Sequence, residues 1–233
     1  MAPDADHLTA RPATLTWSLV VPVKVLAQAK SRLTGLADDR RTKFALAMAA
    51  DTIAAAVEAD TVGAVLVVTD DPDVSDIAAE VGAIVLTDTP RAGLNEALVH
   101  GAGYSERRWP GRGRAGLAGD LPALKPAELT AALAAAARAR AAFVPDTEGT
   151  GTTLYAATPG TPFWPQFGPA SRDRHLAAGA VELSTGELST GELSTGELIG
   201  LRRDVDTVED LRAAARIGLG PRTQALVAAG SWA

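Results

Sequence analysis

Residues 17–23 (WSLVVPV) form an almost unbroken apolar run, too short for a typical globular helix and without polar alternation. Such a run suits a strand buried on both faces of a parallel sheet. Pro22 lacks an N–H, so the strand either ends early or leaves one ladder position unpaired. Acidic residues at the start and apolar Phe44, Met48 and Ile53 at near-helical spacing predict a helix over 38–58. VGAVLVVT (62–69) returns as a strand before the polar turn DDPD. The alternation continues with a helix over 74–81, a strand over 83–86, a helix over 94–104, a strand over 115–118 and a helix over 127–139. Repeated βα units predict an α/β fold with a doubly wound, mostly parallel sheet. For 233 residues with 47% hydrophobic content, the simplest organisation is one domain over 17–233 behind a mobile tail over 1–16.

Charge and composition narrow the chemistry. A net charge of −6 and a pI near 5.1 argue against a nucleic-acid surface, which needs basic groups to displace phosphate counterions. Small anionic substrates stay compatible with a local basic cluster. The absence of cysteine excludes disulfides, thiolate metal sites and thiol nucleophiles. His7, His100 and His175 are too scattered in sequence to suggest a zinc site, which leaves a hard cation held by carboxylates. The opening residues lack the apolar core of a signal peptide, and no run approaches the roughly 20 apolar residues of a membrane span. These features predict a soluble, cytoplasmic protein. A homodimer is compatible with them.

In doubly wound sheets ligands bind beyond the carboxyl ends of the strands, so the residues after each apolar run carry the information. Lys24, Lys30 and Arg32 follow the first strand, and two of the chain's four lysines lie in this loop. Lysine places a compact, mobile charge on phosphate oxygens, which suits a nucleotide triphosphate. A solvated basic loop is the alternative, and no GxxxxGK[ST] is present to make a P-loop. Asp120, in GDLP, falls at a strand end where it is either a Mg2+ ligand or a turn residue. In Asp204-Val205-Asp206 an extended backbone would turn both carboxylates to one side and Val205 inward. Two close carboxylates repel unless a cation offsets them; helix capping by Asp206 or Thr207 is the competing reading. Gly149–Thr153 (GTGTT) and Phe167–Ser171 (FGPAS) offer backbone N–H groups and hydroxyls for an anion, the second leading into a predicted helix.

Between Glu182 and Leu198 the pentapeptide ELSTG occurs three times and begins a fourth. A period of five matches neither 3.6 nor 2.0, so the segment reads as a loop or hairpin expansion.

Taken together, VPVK, AKSRL, GDLPAL, GTGTTL, FGPAS and RRDVDT resemble, in this order, the phospholactate/phosphoenolpyruvate guanylyltransferases of deazaflavin coenzyme F-420 biosynthesis. The resemblance spans about Trp17 to Arg222. It implies a nucleotidyltransferase (Rossmann-like, GT-A-like) architecture, a GTP donor, Mg2+, and transfer of GMP to phosphoenolpyruvate, 2-phospho-L-lactate or 3-phospho-D-glycerate. By that resemblance Lys24 contacts phosphate, Asp120, Asp204 and Asp206 serve the metal, and Thr152, Gly168 and Ser171 hold the phospho-acid. The repeat before RRDVDT and the PGRGR segment (110–114) depart from the family pattern. Rival readings are a nucleotidyltransferase for a sugar phosphate or molybdenum cofactor, which normally carries a Gly-rich loop after the first strand, and a non-catalytic GTP-binding module.

Overall fold

A computed structural model describes residues 15–26, 33, 37–89, 91–183 and 198–230. Lys30, Arg32, most of the tail and most of the ELSTG expansion lie outside the described residues. Strand β1 (Trp17–Pro22) leads through a loop to helix α1 (Asp38–Val57), followed by β2 (Val62–Val68), α2 (Pro72–Glu80), β3 (Ile84–Leu86), α3 (Leu94–Arg108), β4 (Gly113–Leu117) and α4 (Pro126–Ala136). The second half contains β5 (Ala141–Pro145), β6 (Thr152–Ala157), α5 (Ser171–Ala177), β7 (Val181–Glu182), α6 (Ile199–Arg202), α7 (Val208–Ile217) and α8 (Pro221–Ala228). Among the described residues seven strands join one sheet in the order β3-β2-β1-β4-β6-β5-β7. The β1–β2, β1–β4, β2–β3 and β5–β7 pairs are parallel, whereas β6 runs antiparallel to both β4 and β5.

The apolar runs are continuous because both faces of the sheet are covered. Leu19 and Val21 of β1, Val65 and Val67 of β2, and Leu154 and Ala156 of β6 face one core, which α1, α2 and α4 close with Ile53, Val74, Ala78, Leu129 and Leu133. The alternate residues Val20, Leu66, Val68 and Tyr155 face a second core with Ala97, Leu98 and Ala102 of α3 and with Phe143 and Phe167. This period-2 division of a single apolar run between two helical layers is what defines the doubly wound form. Pro22 is the last residue of β1, and the ladder closes with Val23 donating its N–H to the Val68 carbonyl at 2.9 Å.

One long-range contact fastens the C-terminal helices. Asp51 is buried in the middle of α1, and its carboxylate accepts the N–H groups of Arg222 and Thr223 at 3.1 and 2.8 Å. It therefore caps α8 from 171 residues away in sequence, a contribution on the order of 1 kcal/mol. Leu211 and Ala214 of α7 pack with Phe44 and Met48 of α1 and with Val205 in a third cluster. That packing holds the Asp204–Asp206 segment against the C-terminal end of β4.

Candidate functional site

One cavity of about 700 Å³ opens at the carboxyl ends of β1 and β4, between α1, α3 and the segments around β6 and α5. Its walls include Lys24, Asp120, Thr152, Gly168, Ser171, Asp204 and Asp206. Every described residue expected from the sequence to belong to the site is thus brought to one place, from segments as far apart as β1 and the turn before α7.

The acidic wall is built by a backbone clamp. Val205 is fully buried and donates its N–H to the Asp120 carbonyl at 3.1 Å, which aligns the two acidic segments. With Val205 inward, Asp204 and Asp206 both face the cavity. Helix α7 is capped by Thr207, whose hydroxyl accepts from Asp210 N at 3.2 Å while the Asp210 carboxylate accepts from Thr207 N at 2.9 Å. Capping and cavity lining therefore coexist in adjacent residues. Burial, and then the charges of Asp120, Asp206, Asp146 and Glu148, push the Asp204 carboxyl up to about 7. Among the described residues no three histidine, aspartate or glutamate side chains form a closed metal cage.

Asp146 and Glu148 were not singled out by the sequence reading. Asp146 has a second role: its carboxylate accepts Thr150 N at 2.9 Å and Gly151 N at 2.7 Å. The GTGTT turn was expected to offer these N–H groups to a bound anion, but the protein's own carboxylate takes them. Gly151 must lack a side chain here, because a Cβ would lie 2.2 Å from the Asp146 Oδ2 atom. The expected open helix start after FGPAS is corrected in the same way. Ser171 N donates to the Gly168 carbonyl at 3.1 Å, closing the FGPAS turn on itself, and Arg172 N donates to the Thr150 carbonyl at 3.2 Å, joining it to the GTGTT turn.

The opposite wall presents side-chain hydroxyls to the cavity. Ser171 Oγ donates to Thr152 Oγ1 at 3.0 Å, and Thr152 Oγ1 lies 3.0 Å from His175 Nδ1. Gly168 has φ +118°, a conformation that β-carbon-bearing residues rarely adopt, and it turns the chain between Phe167 and Ser171. His175 is fully buried, stacked on Tyr155 at 4.8 Å and flanked by Phe143 and Phe167. Burial, aided by the Arg174 charge, lowers its pKa to about 4, so the ring is neutral at physiological pH.

Lys24 is exposed at the end of β1 and also lines a second cavity, of about 580 Å³, at the ends of β2 and β3. Asp70, Asp88, Arg91 and Gly93 contribute to it. Asp70 holds Arg91 Nε at 2.6 Å, whereas the buried Asp88 Oδ1 has no hydrogen-bond partner among the described residues.

The fold is shared with a solved nucleotidyl transferase. It superposes on a nucleotidyl transferase from Methanothermobacter with a TM-score of 0.53 at 19% identity, covering 87% of this chain and 97% of the other. Residues 17–178 match the model of the Guanylyl transferase CofC like family, and the chain belongs to that family. It is 52% identical to the phosphoenolpyruvate guanylyltransferase of Thermomonospora curvata, over 94% of this chain and 92% of that protein. Its identity to the phosphoenolpyruvate guanylyltransferase of Streptosporangium roseum is 47%, over 94% and 95% of the two chains. No helix among the described residues is long and apolar enough to cross a membrane.

Proposed function

We propose that this protein transfers GMP from GTP to phosphoenolpyruvate, releasing pyrophosphate, in coenzyme F-420 biosynthesis. The observation that carries this reading is the two-sided cavity, with carboxylates and Lys24 on one side and an uncharged hydroxyl pair on the other. The names of the relatives favour phosphoenolpyruvate over 2-phospho-L-lactate and 3-phospho-D-glycerate.

In the proposed reaction a phosphate oxygen of the acid attacks the α-phosphorus of GTP. A new phosphorus–oxygen bond forms as the bond to the bridging oxygen of the β-phosphate breaks, and pyrophosphate leaves with that electron pair. The nucleophile is already anionic, so no side chain need remove a proton. The chain's work is positioning and charge neutralisation. Lys24 borders both cavities and so reaches phosphates approached from either side. Asp120, Asp204 and Asp206 would hold Mg2+; their hard oxygens and the repulsion around Asp204 fit a cation. Mg2+ supplies charge neutralisation on the triphosphate, and it commonly needs only one or two carboxylates besides phosphates and water, so a closed protein cage is not required. Thr152, Gly168 and Ser171 would hold the phospho-acid. The nucleoside is assigned to the second cavity, whose lining includes the Asp88 carboxylate, a hydrogen-bond acceptor of the kind that matches the N1–H and N2–H donors of guanine.

The test is pyrophosphate release across a matrix of nucleoside triphosphates and phospho-acids, with the product identified by mass. Release confined to GTP with phosphoenolpyruvate and dependent on Mg2+ is expected. Equal turnover with glucose 1-phosphate, or with ATP in place of GTP, would overturn the proposal.

A further inference from the structure

His175 is not among the cavity's lining residues, yet it is tied to Thr152 and Gln166 by hydrogen bonds and to Ser171 by its helix. It sits four residues after Ser171 on α5, one turn on along the same face. Its Nδ1 meets Thr152 Oγ1 at 3.0 Å, and its Nε2 accepts the N–H of Gln166 at 2.9 Å, two residues before Gly168. We infer that His175 is a positioning residue that forces the Thr152–Ser171 hydroxyl pair to present an O–H donor to the anionic acid. The inference rests on the assignment of the phospho-acid to this wall.

The protons of the network can be counted. A backbone N–H can only donate, so Nε2 must be the acceptor nitrogen of the ring. In the neutral imidazole the proton then belongs to Nδ1, which donates to Thr152 Oγ1. The low pKa of the buried ring agrees with a neutral form. Three protons, one on Nδ1 and one on each hydroxyl, serve two internal links: His175 to Thr152, and Ser171 to Thr152. One O–H is left over for the cavity. As placed, it belongs to Thr152; reversing the Ser171 link moves the spare proton to Ser171 without changing the count. Were Nδ1 an acceptor instead, both hydroxyl protons would be consumed internally and lone pairs alone would face the substrate. A carboxylate or phosphate would then be repelled. Rotation of the ring is opposed by its stack on Tyr155, with planes 16° apart, and by Phe143 and Phe167 around it.

Two variants separate this wiring from simple packing. His175→Phe keeps the ring volume and stacking but offers no donor, whereas His175→Asn keeps an N–H near the Nδ1 position and loses the ring. The expected KM for phosphoenolpyruvate rises about tenfold in His175→Phe, the scale of weakening one hydrogen bond to a charged group. In His175→Asn it rises less, even though that variant melts at a lower temperature, and KM for GTP is unchanged in both. A packing role predicts the opposite order, and Phe matching the wild type would overturn the inference. Nitrogen-15 NMR of the histidine-labelled wild type reads the tautomer directly and does not depend on either variant folding. A proton on Nδ1 is expected, and a proton on Nε2 would overturn the wiring. If the wild type turns over no phosphoenolpyruvate, the assignment of function has failed instead, and the NMR result distinguishes that outcome from a failure of the tautomer.

Discussion

The two walls of the cavity solve opposite electrostatic problems. On one side burial, and then the charges of Asp120, Asp206, Asp146 and Glu148, push the Asp204 carboxyl up to about 7. On the other, no side chain of the Thr152–Ser171–His175 network carries a charge at neutral pH, and each link is a hydrogen bond of 3.0 Å backed by aromatic rings. A crowded acidic cluster suits a cation that arrives with a substrate. A neutral, fully wired donor pair suits a small anion, because its orientation is set before the ligand arrives and little reorganisation is needed on binding.

The sharpest way to break this contrast is to neutralise one carboxylate. Asp120→Asn should lower kcat at least about a hundredfold, the scale of losing a strong transition-state stabiliser. Steady-state kinetics against Mg2+ concentration check it, and a variant with normal kcat and unchanged Mg2+ dependence would remove Asp120 from the acidic wall.

A smaller effect is expected across the cavity. Ser171→Ala should raise KM for phosphoenolpyruvate about tenfold or more, one hydrogen bond to a charged group being worth about 1.5–3 kcal/mol. Gly168→Val should act in the same direction, because its φ of +118° strains any branched residue. KM for GTP is expected to stay constant in both; a rise in GTP KM with an unchanged acid KM would exchange the roles of the two walls.

The second cavity gives a narrower test. Asp88→Ala should reduce the preference for GTP over ATP by about tenfold, since one guanine donor contact is lost to a partly buried acceptor. Competition between the two nucleotides measures it, and an unchanged ratio would place base recognition elsewhere.

The smallest expected signal is in stability against pH. The folded pKa of Asp204 is raised from 3.8 to about 7, so between about pH 4 and 7 the metal-free fold holds a proton that the unfolded chain releases. The sign follows: the stability contributed by this group is present at low pH and lost as pH rises through about 7. If Mg2+ takes the place of that proton, as proposed, the rise in melting temperature that it produces should be larger near pH 8 than near pH 6. Thermal melts with and without Mg2+ check this, and a pH-independent Mg2+ shift would contradict it.

What the sequence made legible follows the physics of each segment. Trp17–Pro22 and Val62–Val68 are rich in β-branched and apolar residues buried on both sides, so their strands were readable from composition alone. Asp120 and Asp204–Asp206 stood out because acidic residues interrupt the chain directly beside apolar or packed positions. The antiparallel half was not predicted as strands. Ala141–Pro145 opens on two alanines, which favour helix, just after a predicted helix over 127–139 that overran its actual end at Ala136, and the start of Thr152–Ala157 was taken into the GTGTT turn. The GTGTT segment read as an anion-binding turn because local sequence cannot show that Asp146 occupies its N–H groups. His175 looked isolated for a related reason: its partners Thr152 and Gln166 are separated from it by 23 and 9 residues and meet it only once β6 and α5 are packed. Long-range hydrogen bonds leave no periodic signal.

The most direct test of the two-wall account is a crystal structure of the protein with Mn2+, a GTP analogue resistant to α,β-cleavage, and phosphoenolpyruvate. The account predicts anomalous density for Mn2+ against Asp120, Asp204 and Asp206, with the carboxylate or phosphate of phosphoenolpyruvate on the Thr152 and Ser171 hydroxyls. Manganese bound away from these aspartates, or phosphoenolpyruvate seated in the cavity at Asp70 and Asp88, would contradict it.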